Sequence, residues 1–315
     1  MTDQTNGAIT DPFALTTEQG YFWARGNLHS HSTNSDGKPS PQARVDGYVK
    51  QGYDFLCVSD HYKITRLETL SAPDEFVLIQ GAELHPANPF GGETHHFVCL
   101  NIHEDMDSKS MPPQHVIDNV NEQGGGVWLA HPYWSSVNIL RDTAPLHGFA
   151  GIEVHNTTCR RHGRGDSSPL WDDWMNIDGR LYPALANDDS HALEESNHDT
   201  YESWTVARVK ERTSAAIMEA LLSGASYATC GPEIHGIQIV AGKDEKSGAR
   251  ATVKCSEARR IMAVHDRLGV EYHEHGKTFE EATIDLRPGT KLVRFEIIDP
   301  EGLKAWSNPF DLTTL

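Results

Sequence analysis

The sequence predicts an α/β protein: a closed, parallel β/α barrel followed by a small antiparallel β-domain. Three observations point there. Short apolar runs alternate with helix-period segments up to about residue 230, and about seven such units suit a closed barrel. Histidines and carboxylates fall just past the ends of those runs, where α/β barrels build their sites. From Gly231-Pro232 onward the helical period vanishes and strand-like runs follow one another directly.

In order, residues 1–21 read as a lead-in, with Thr16-Thr17 as a candidate cap, and residues 23–29 as the first strand. Ser40-Pro41 opens a helix to about residue 51: a capping hydroxyl, a first-turn proline, and Val45, Tyr48 and Val49 on one face. Gly52 ends it. Residues 54–58 are continuously apolar, as in a strand buried on both faces, and stop at Ser59-Asp60-His61. A short helix at 65–71 leads to a strand at 76–82 that ends in Glu83-Leu84-His85-Pro86. A Gly91-Gly92 turn precedes the strand 95–100; a helix at 113–123 and Gly124-Gly125-Gly126 precede the strand 127–130, which ends in His131-Pro132. The strand 151–154 ends in His155-Asn156. A Trp-rich amphipathic segment at 168–177 then precedes the strand 182–186, which runs into Asn187-Asp188-Asp189-Ser190-His191. A strand at 203–210 and a helix at 213–222, capped by Thr213 and Gly224, complete the barrel, residues 22–232. Residues 233–315, with runs at 236–241, 251–255, 260–266, 270–275, 278–286 and 292–298, read as an antiparallel β-sandwich.

Bulk properties exclude several classes. Among 315 residues, 27 Lys+Arg against 45 Asp+Glu leave a net charge of −18, which argues against a nucleic-acid surface. No apolar run approaches the roughly 20 residues that span a bilayer. The first ten residues lack the basic and apolar regions of a secretory signal. Five scattered cysteines without a CxxC pair read as free thiols of a reducing compartment. A cytoplasmic location is the expectation.

The chemistry is concentrated at strand ends. In His29-Ser30-His31 the two imidazoles leave the same face of a strand, aiming two neutral nitrogen ligands into one pocket. His29, His31, Asp36, His61, Glu83, His96, His131, Asp189 and His191 together form a set of imidazoles and carboxylates without cysteine, which suits Zn, Mn or Fe. They are too many for one ion and suit two or three, with Glu83 as a bridging carboxylate.

His29-x-His31, Ser59-Asp60-His61, Gly81-Ala82-Glu83, Ala130-His131-Pro132 and Asp189-Ser190-His191, in this order, resemble the PHP (polymerase and histidinol phosphatase) superfamily. The resemblance covers about residues 22–230 and implies a distorted (β/α)7 barrel holding two or three divalent metal ions. It implies His29, His31, Asp36, His61, Glu83, His131, Asp189 and His191 as ligands. The remaining ligand is a histidine directly before an apolar strand, a place that His96 fits better than His95. His131-Pro132-Tyr133-Trp134, the passage Ala228–Glu233 and Trp306-Ser307-Asn308-Pro309 are similar to the CehA/McbA-type (carbaryl-esterase-like) branch.

The implied activity is hydrolysis by a metal-bridged hydroxide, first of a small-molecule phosphoester, with a carboxylic ester or carbamate as the alternative. A non-catalytic, metal-stabilised binding module is the reading from another class. Asp189 would handle protons and Asp60 would orient His61 or a neighbouring ligand. Lys63, Arg160, Arg161 and His155 are candidate substrate contacts, and the basic loop around Arg160 favours an anionic substrate. Glu153 is expected to support the site. Trp171, Trp174 and Met175 have the spacing of a packing face. His265, Asp266, His273 and His275 read as scattered surface residues. No nucleic-acid or membrane partner is expected, and a homo-oligomer is left open.

Overall fold

The computed structural model describes residues 8–9, 20–87, 95–192, 199–242, 247–266, 269–313 and 315. Most of the lead-in, Thr16-Thr17 included, and the Gly91-Gly92 turn lie outside the described residues, as does the side chain of His275.

After β1 (Ala8–Ile9), the chain enters β2 (Phe22–Asn27) and then α1 (Pro41–Lys50). Ser40 caps α1 as its sequence dictates: its Oγ accepts from Ala43 N at 3.2 Å ahead of the first-turn proline. Val45 and Tyr48 face the core, and Gly52 at φ 73° supplies the left-handed turn into β3 (Phe55–Leu56). A single 3-10 turn, Leu67–Thr69, stands where a short helix was expected. The single strand expected at 76–82 is two, β4 (Val77–Leu78) and β5 (Gly81–Leu84). Here the chain changes sheets. Gly81 permits it, since a Cβ there would lie 2.5 Å from Cys99 O and 2.7 Å from Cys57 Sγ.

Next come β6 (Phe97–Leu100), α2 (Pro113–Glu122), β7 (Gly126–Leu129), a π-helical turn at Ile139–Thr143, and β8 (Gly151–Asn156). They are followed by α3 (Thr157–Arg160), α4 (Ser168–Asp178), β9 (Ala184–Asn187), β10 (Trp204–Val209), α5 (Ser214–Ser223) and β11 (Ser226–Thr229). The remaining strands are β12 (Ile234–Val240), β13 (Arg250–His265), β14 (Gly269–Asp285), β15 (Leu292–Ile298), β16 (Lys304–Ser307) and β17 (Phe310–Asp311).

Among the described residues these strands form two sheets. One has the order β5-β6-β7-β8-β9, with β6 antiparallel to both neighbours and the β7–β8 and β8–β9 pairs parallel. The other has twelve strands along β1-β12-β13-β15-β16-β11-β10-β2-β3-β4, with β14 on β13 and β17 on β15. One closed parallel ring is not shown: among the described residues the ladders make two sheets of mixed direction. The two sheets meet through isolated parallel bridges, Ser30 with Ser190 and His61 with Glu83. Both bridges lie at the carboxyl ends of strands.

The C-terminal strands are antiparallel, as expected, but they do not stand apart. They continue the same sheet through the pairing of β16 with β11. The runs at 251–255 and 260–266 are one strand, β13, and those at 270–275 and 278–286 are one strand, β14; shifts of register between Lys254 and Arg260 absorb the apparent breaks. Trp306 of β16 is fully buried in the same core as Trp171 and Trp174 of α4. A buried ion pair adds to this. Arg294 of β15 donates from Nε and Nη2 to Asp172 of α4 at 2.6 and 2.7 Å, and from Nη1 to Glu296 at 2.7 Å. All five cysteines are buried and free. No helix among the described residues is long and apolar enough to cross a membrane.

Removing one partner of a buried pair strands the other in a medium that cannot solvate it. Arg294→Ala is therefore expected to cost about 3–5 kcal/mol in urea unfolding, and the triple variant Asp172→Leu, Arg294→Met, Glu296→Gln to recover most of that. An Arg294→Ala loss below about 1 kcal/mol, the ceiling of an exposed pair, contradicts this account.

Candidate metal centre

The site begins with backbone alternation. Just past β2, His29 and His31 leave the same face, their rings 5.2 Å apart, and both are fully buried. The neighbouring strand end is fastened to this one: Asp189 N donates to His29 O and His31 N to Ser190 O, each at 2.9 Å. Arg44 of α1 clamps the same turn, donating from Nε and Nη2 to His31 O, from Nη2 also to Ser190 O, and from Nη1 to Ala192 O. His131 and Asp189 sit at φ 26° and 55°, a conformation that non-glycine residues adopt only when their surroundings impose it.

Glu83 is the hub. Its Oε2 lies 3.2 Å from His29 Nε2, 3.4 Å from His31 Nε2 and 2.8 Å from His61 Nδ1. Its Oε1 lies 2.7 Å from His96 Nδ1 and 3.3 Å from His131 Nε2. Asp189 Oδ1 lies 2.9 Å from His31 Nε2 and 3.2 Å from His29 Nε2. On the open side, Asp36 Oδ2 stands 3.4 Å from both His61 Nε2 and His191 Nε2. The donor groups that result include His31, Asp36, His61 and His191; His29, His31, Glu83 and Asp189; and Glu83, His96 and His131. All nine residues expected as ligands thus come together. His95 does not join them; it is buried against Phe97.

Charge follows proximity. Burial opposes protonation at His29, but the carboxylates of Asp189, Glu153 and Glu83 outweigh it and raise its pKa well above the usual imidazole value. At His61 burial is likewise outweighed, by Asp36 and Glu83, and the pKa is pushed up to about 10. His131 and His191 are also raised against burial by their carboxylate neighbours. At His31 and His96 burial wins; both are lowered, His96 to about 4. Hydrogen bonds from His191 and His61 hold Asp36 well below the usual carboxylate range. Burial alone would raise Glu83 and Asp189; His29 and the other imidazoles hold both down instead.

Does the set fit a cation? His29 Nε2, His61 Nδ1 and Glu83 Oε2 are buried and face one another without a well-directed hydrogen bond. Such atoms cost about 1–3 kcal/mol each when left unsatisfied. Imidazole and carboxylate lone pairs converging without cysteine are a donor set for Zn, Mn or Fe.

The supporting residues are as telling. Glu153 of β8 accepts from His29 Nδ1 at 2.9 Å, His131 N at 3.0 Å, Asn156 Nδ2 at 2.9 Å and Asn187 Nδ2 at 3.0 Å. It fixes the tautomer of His29, leaving Nε2 free toward Glu83 and Asp189. Asp60 does not touch the cluster. It accepts from Ser32 N and Oγ, Ser35 Oγ and Thr65 Oγ1 at 2.6–2.7 Å, which braces the loop that presents Asp36. Of the expected substrate contacts, Lys63 and Arg161 are exposed, Arg160 is paired with Glu202, and buried His155 bonds Ser203 Oγ and stacks on Trp306. In the β-domain His265 pairs with Glu271 and His273 packs on Phe279.

Sequence reasoning missed Arg44 and His85. Arg44 carries no signal, since its partners are backbone carbonyls distant in sequence. His85 stands two residues after Glu83, just past the end of β5, the same spacing that singled out His29 and His31.

No family model and no curated protein matches the sequence. Among solved structures, the chain is similar to a two-domain protein from Bacteroides vulgatus containing a predicted PHP-like metal-dependent phosphoesterase. The identity is 17%, the likeness covers 93% of this chain and 95% of that one, and the TM-score is 0.53. An amidohydrolase from Chromobacterium violaceum, solved with bound sulfate and no metal, overlaps 54% of this chain and 88% of its own at 16% identity and a TM-score of 0.40. The first likeness is one of fold over nearly the whole length of both chains.

The pKa pattern has a sign. His61, raised to about 10, carries a proton near pH 7 in the metal-free protein; His29, His131 and His191 are shifted in the same direction, and a cation requires all four neutral. Titration with Mn²⁺ at pH 7 is expected to release protons, so that the calorimetric heat varies with the ionisation enthalpy of the buffer. The charged form of His61 stabilises the metal-free fold below the unfolded imidazole value of about 6.5. That contribution is lost as pH rises through its folded value of about 10. The rise in Tm on adding Mn²⁺ is therefore expected to grow from pH 6 to pH 8. Heats independent of buffer contradict the protonation pattern.

Proposed function

We propose that this chain is a metal-dependent hydrolase of the PHP type, acting first on a small-molecule phosphoester. One observation carries the reading: the Glu83 carboxylate belongs to donor groups on both of its sides, which supports more than one cation. His29, His31, Asp36, His61, Glu83, His96, His131, Asp189 and His191 would hold two or three divalent ions, of Mn, Zn or Fe. Bound there, such ions supply positive charge to the oxygens of a scissile group and acidify a water.

The chain's own residues do the rest. Glu153 holds the His29 imidazole in one tautomer. Asp189, fixed by Asn156 Nδ2 at 3.2 Å from Oδ2, is the carboxylate placed to take a proton from the attacking water. Asp60 positions Asp36. Lys63 and Arg161 are the exposed cations that an anionic substrate would meet. The bridges at Ser30–Ser190 and His61–Glu83 support a distorted seven-stranded barrel over residues 22–232, with residues 233–315 appended. The name of the Bacteroides vulgatus protein, whose fold this chain shares, favours the phosphoester.

A second reading has its own observation. Trp134, 37% exposed, stands 5.2 Å from the His131 ring and 5.7 Å from the His96 ring, with the exposed Tyr133 beside it. An aromatic lip suits an uncharged carboxylic ester or carbamate, as the CehA/McbA-type resemblance implies.

Metal content of the purified protein, with turnover of p-nitrophenyl phosphate and p-nitrophenyl acetate, separates the readings. Two or more equivalents of Mn, Fe or Zn are expected, with phosphate release that chelation abolishes and that His29→Ala, His31→Ala lacks. Ester turnover without phosphate release selects the second reading. Stoichiometric metal without turnover of either ester selects the metal-stabilised binding module, and absence of stoichiometric metal overturns both hydrolase readings.

A further inference from the structure

β5 presents a second donor beside Glu83. His85 shares the face of Glu83, and its ring is held on several sides. It stacks on His96 at 3.6 Å and 22°, while His61 and Tyr62 each stand 4.7 Å away. Lys109 Nζ in turn lies 4.0 Å from the Tyr62 ring. Only 12% of the His85 side chain is exposed.

For so constrained an imidazole, its Nε2 is poorly used. Among the described residues, the atom is buried and makes no hydrogen bond. Glu83 Oε1 lies 3.4 Å away and already takes His96 Nδ1 at 2.7 Å. A charge-assisted contact runs nearer 2.7–2.9 Å, so the carboxylate does not satisfy this nitrogen. A cation would. Donor atoms of His61, Glu83 and His85 all lie within 4.8 Å of one another.

We propose that His85 is a metal ligand beyond the nine residues above, and that with His61 and Glu83 it forms a further corner for a divalent cation. This rests on the reading of the cluster as a metal centre. The stacked His85 and His96 rings would then serve different ions, His96 together with His131 and His85 together with His61.

Chelator-stripped protein titrated with Mn²⁺ by calorimetry, and with Co²⁺ by visible absorption, tests the assignment in wild type, His85→Ala and His85→Phe. The phenylalanine keeps a ring against His96 and Tyr62 but offers no lone pair, which separates ligation from stacking. Both variants are expected to lose one equivalent, or to bind one class of ion at least about ten-fold more weakly. The Co²⁺ spectrum is expected to change, and the His85→Phe fold to remain intact by circular dichroism. His85→Phe that binds the same number of ions within about two-fold of wild-type affinity overturns the proposal and leaves the metal-hydrolase reading standing. Wild type that binds no Mn²⁺ and no Co²⁺ overturns both. Should His85→Ala fail to fold, His85→Phe alone decides.

Discussion

A single buried carboxylate organises the candidate site. Glu83 is 1% exposed, and imidazoles from four other strand ends or loops point at its two oxygens. Such a carboxylate is costly to bury without positive charge beside it, whether as protons on histidines or as cations among them. That requirement explains why strands from two sheets end at one place. The His61–Glu83 bridge belongs to the site and also joins the two sheets there.

Around this hub, other buried carboxylates keep the geometry without entering it. Asp188, beside Asp189 in sequence, accepts from Tyr48 OH, Asn27 Nδ2 and the amides of Tyr201, Glu202 and Ser203. Burial pushes its pKa up to about 6 despite those hydrogen bonds. Glu153 and Asp60 do comparable work for His29 and for the Asp36 loop. The left-handed backbone at His131 and Asp189 fits this pattern: local strain is held by hydrogen bonds to the same carboxylate network.

How much of this was legible depended on range. The period-2 spacing of His29 and His31 and the helix signals at Ser40-Pro41 and Thr213–Gly224 are local, and the structure follows them. Sheet direction is not local. Nothing within residues 95–100 says that β6 runs antiparallel to its neighbours, or that β16 will pair with β11. Partition of function between ligands and supports was harder still. Asp60 and Asp189 both read as strand-end carboxylates, yet one is consumed by hydroxyls and an amide while the other faces imidazoles. Arg160 read as a candidate substrate contact, and its partner Glu202 is 42 residues away in sequence. His85 was within reach of the same alternation that found His29 and His31.

The central claim, that Glu83 is a carboxylate shared between cations, is tested most directly by anomalous X-ray diffraction from crystals grown with Mn²⁺, recorded on both sides of the Mn absorption edge. The account predicts at least two anomalous peaks within the cluster, one on each side of the Glu83 carboxylate. A single peak away from Glu83, or none in the cluster at saturating Mn²⁺, contradicts it.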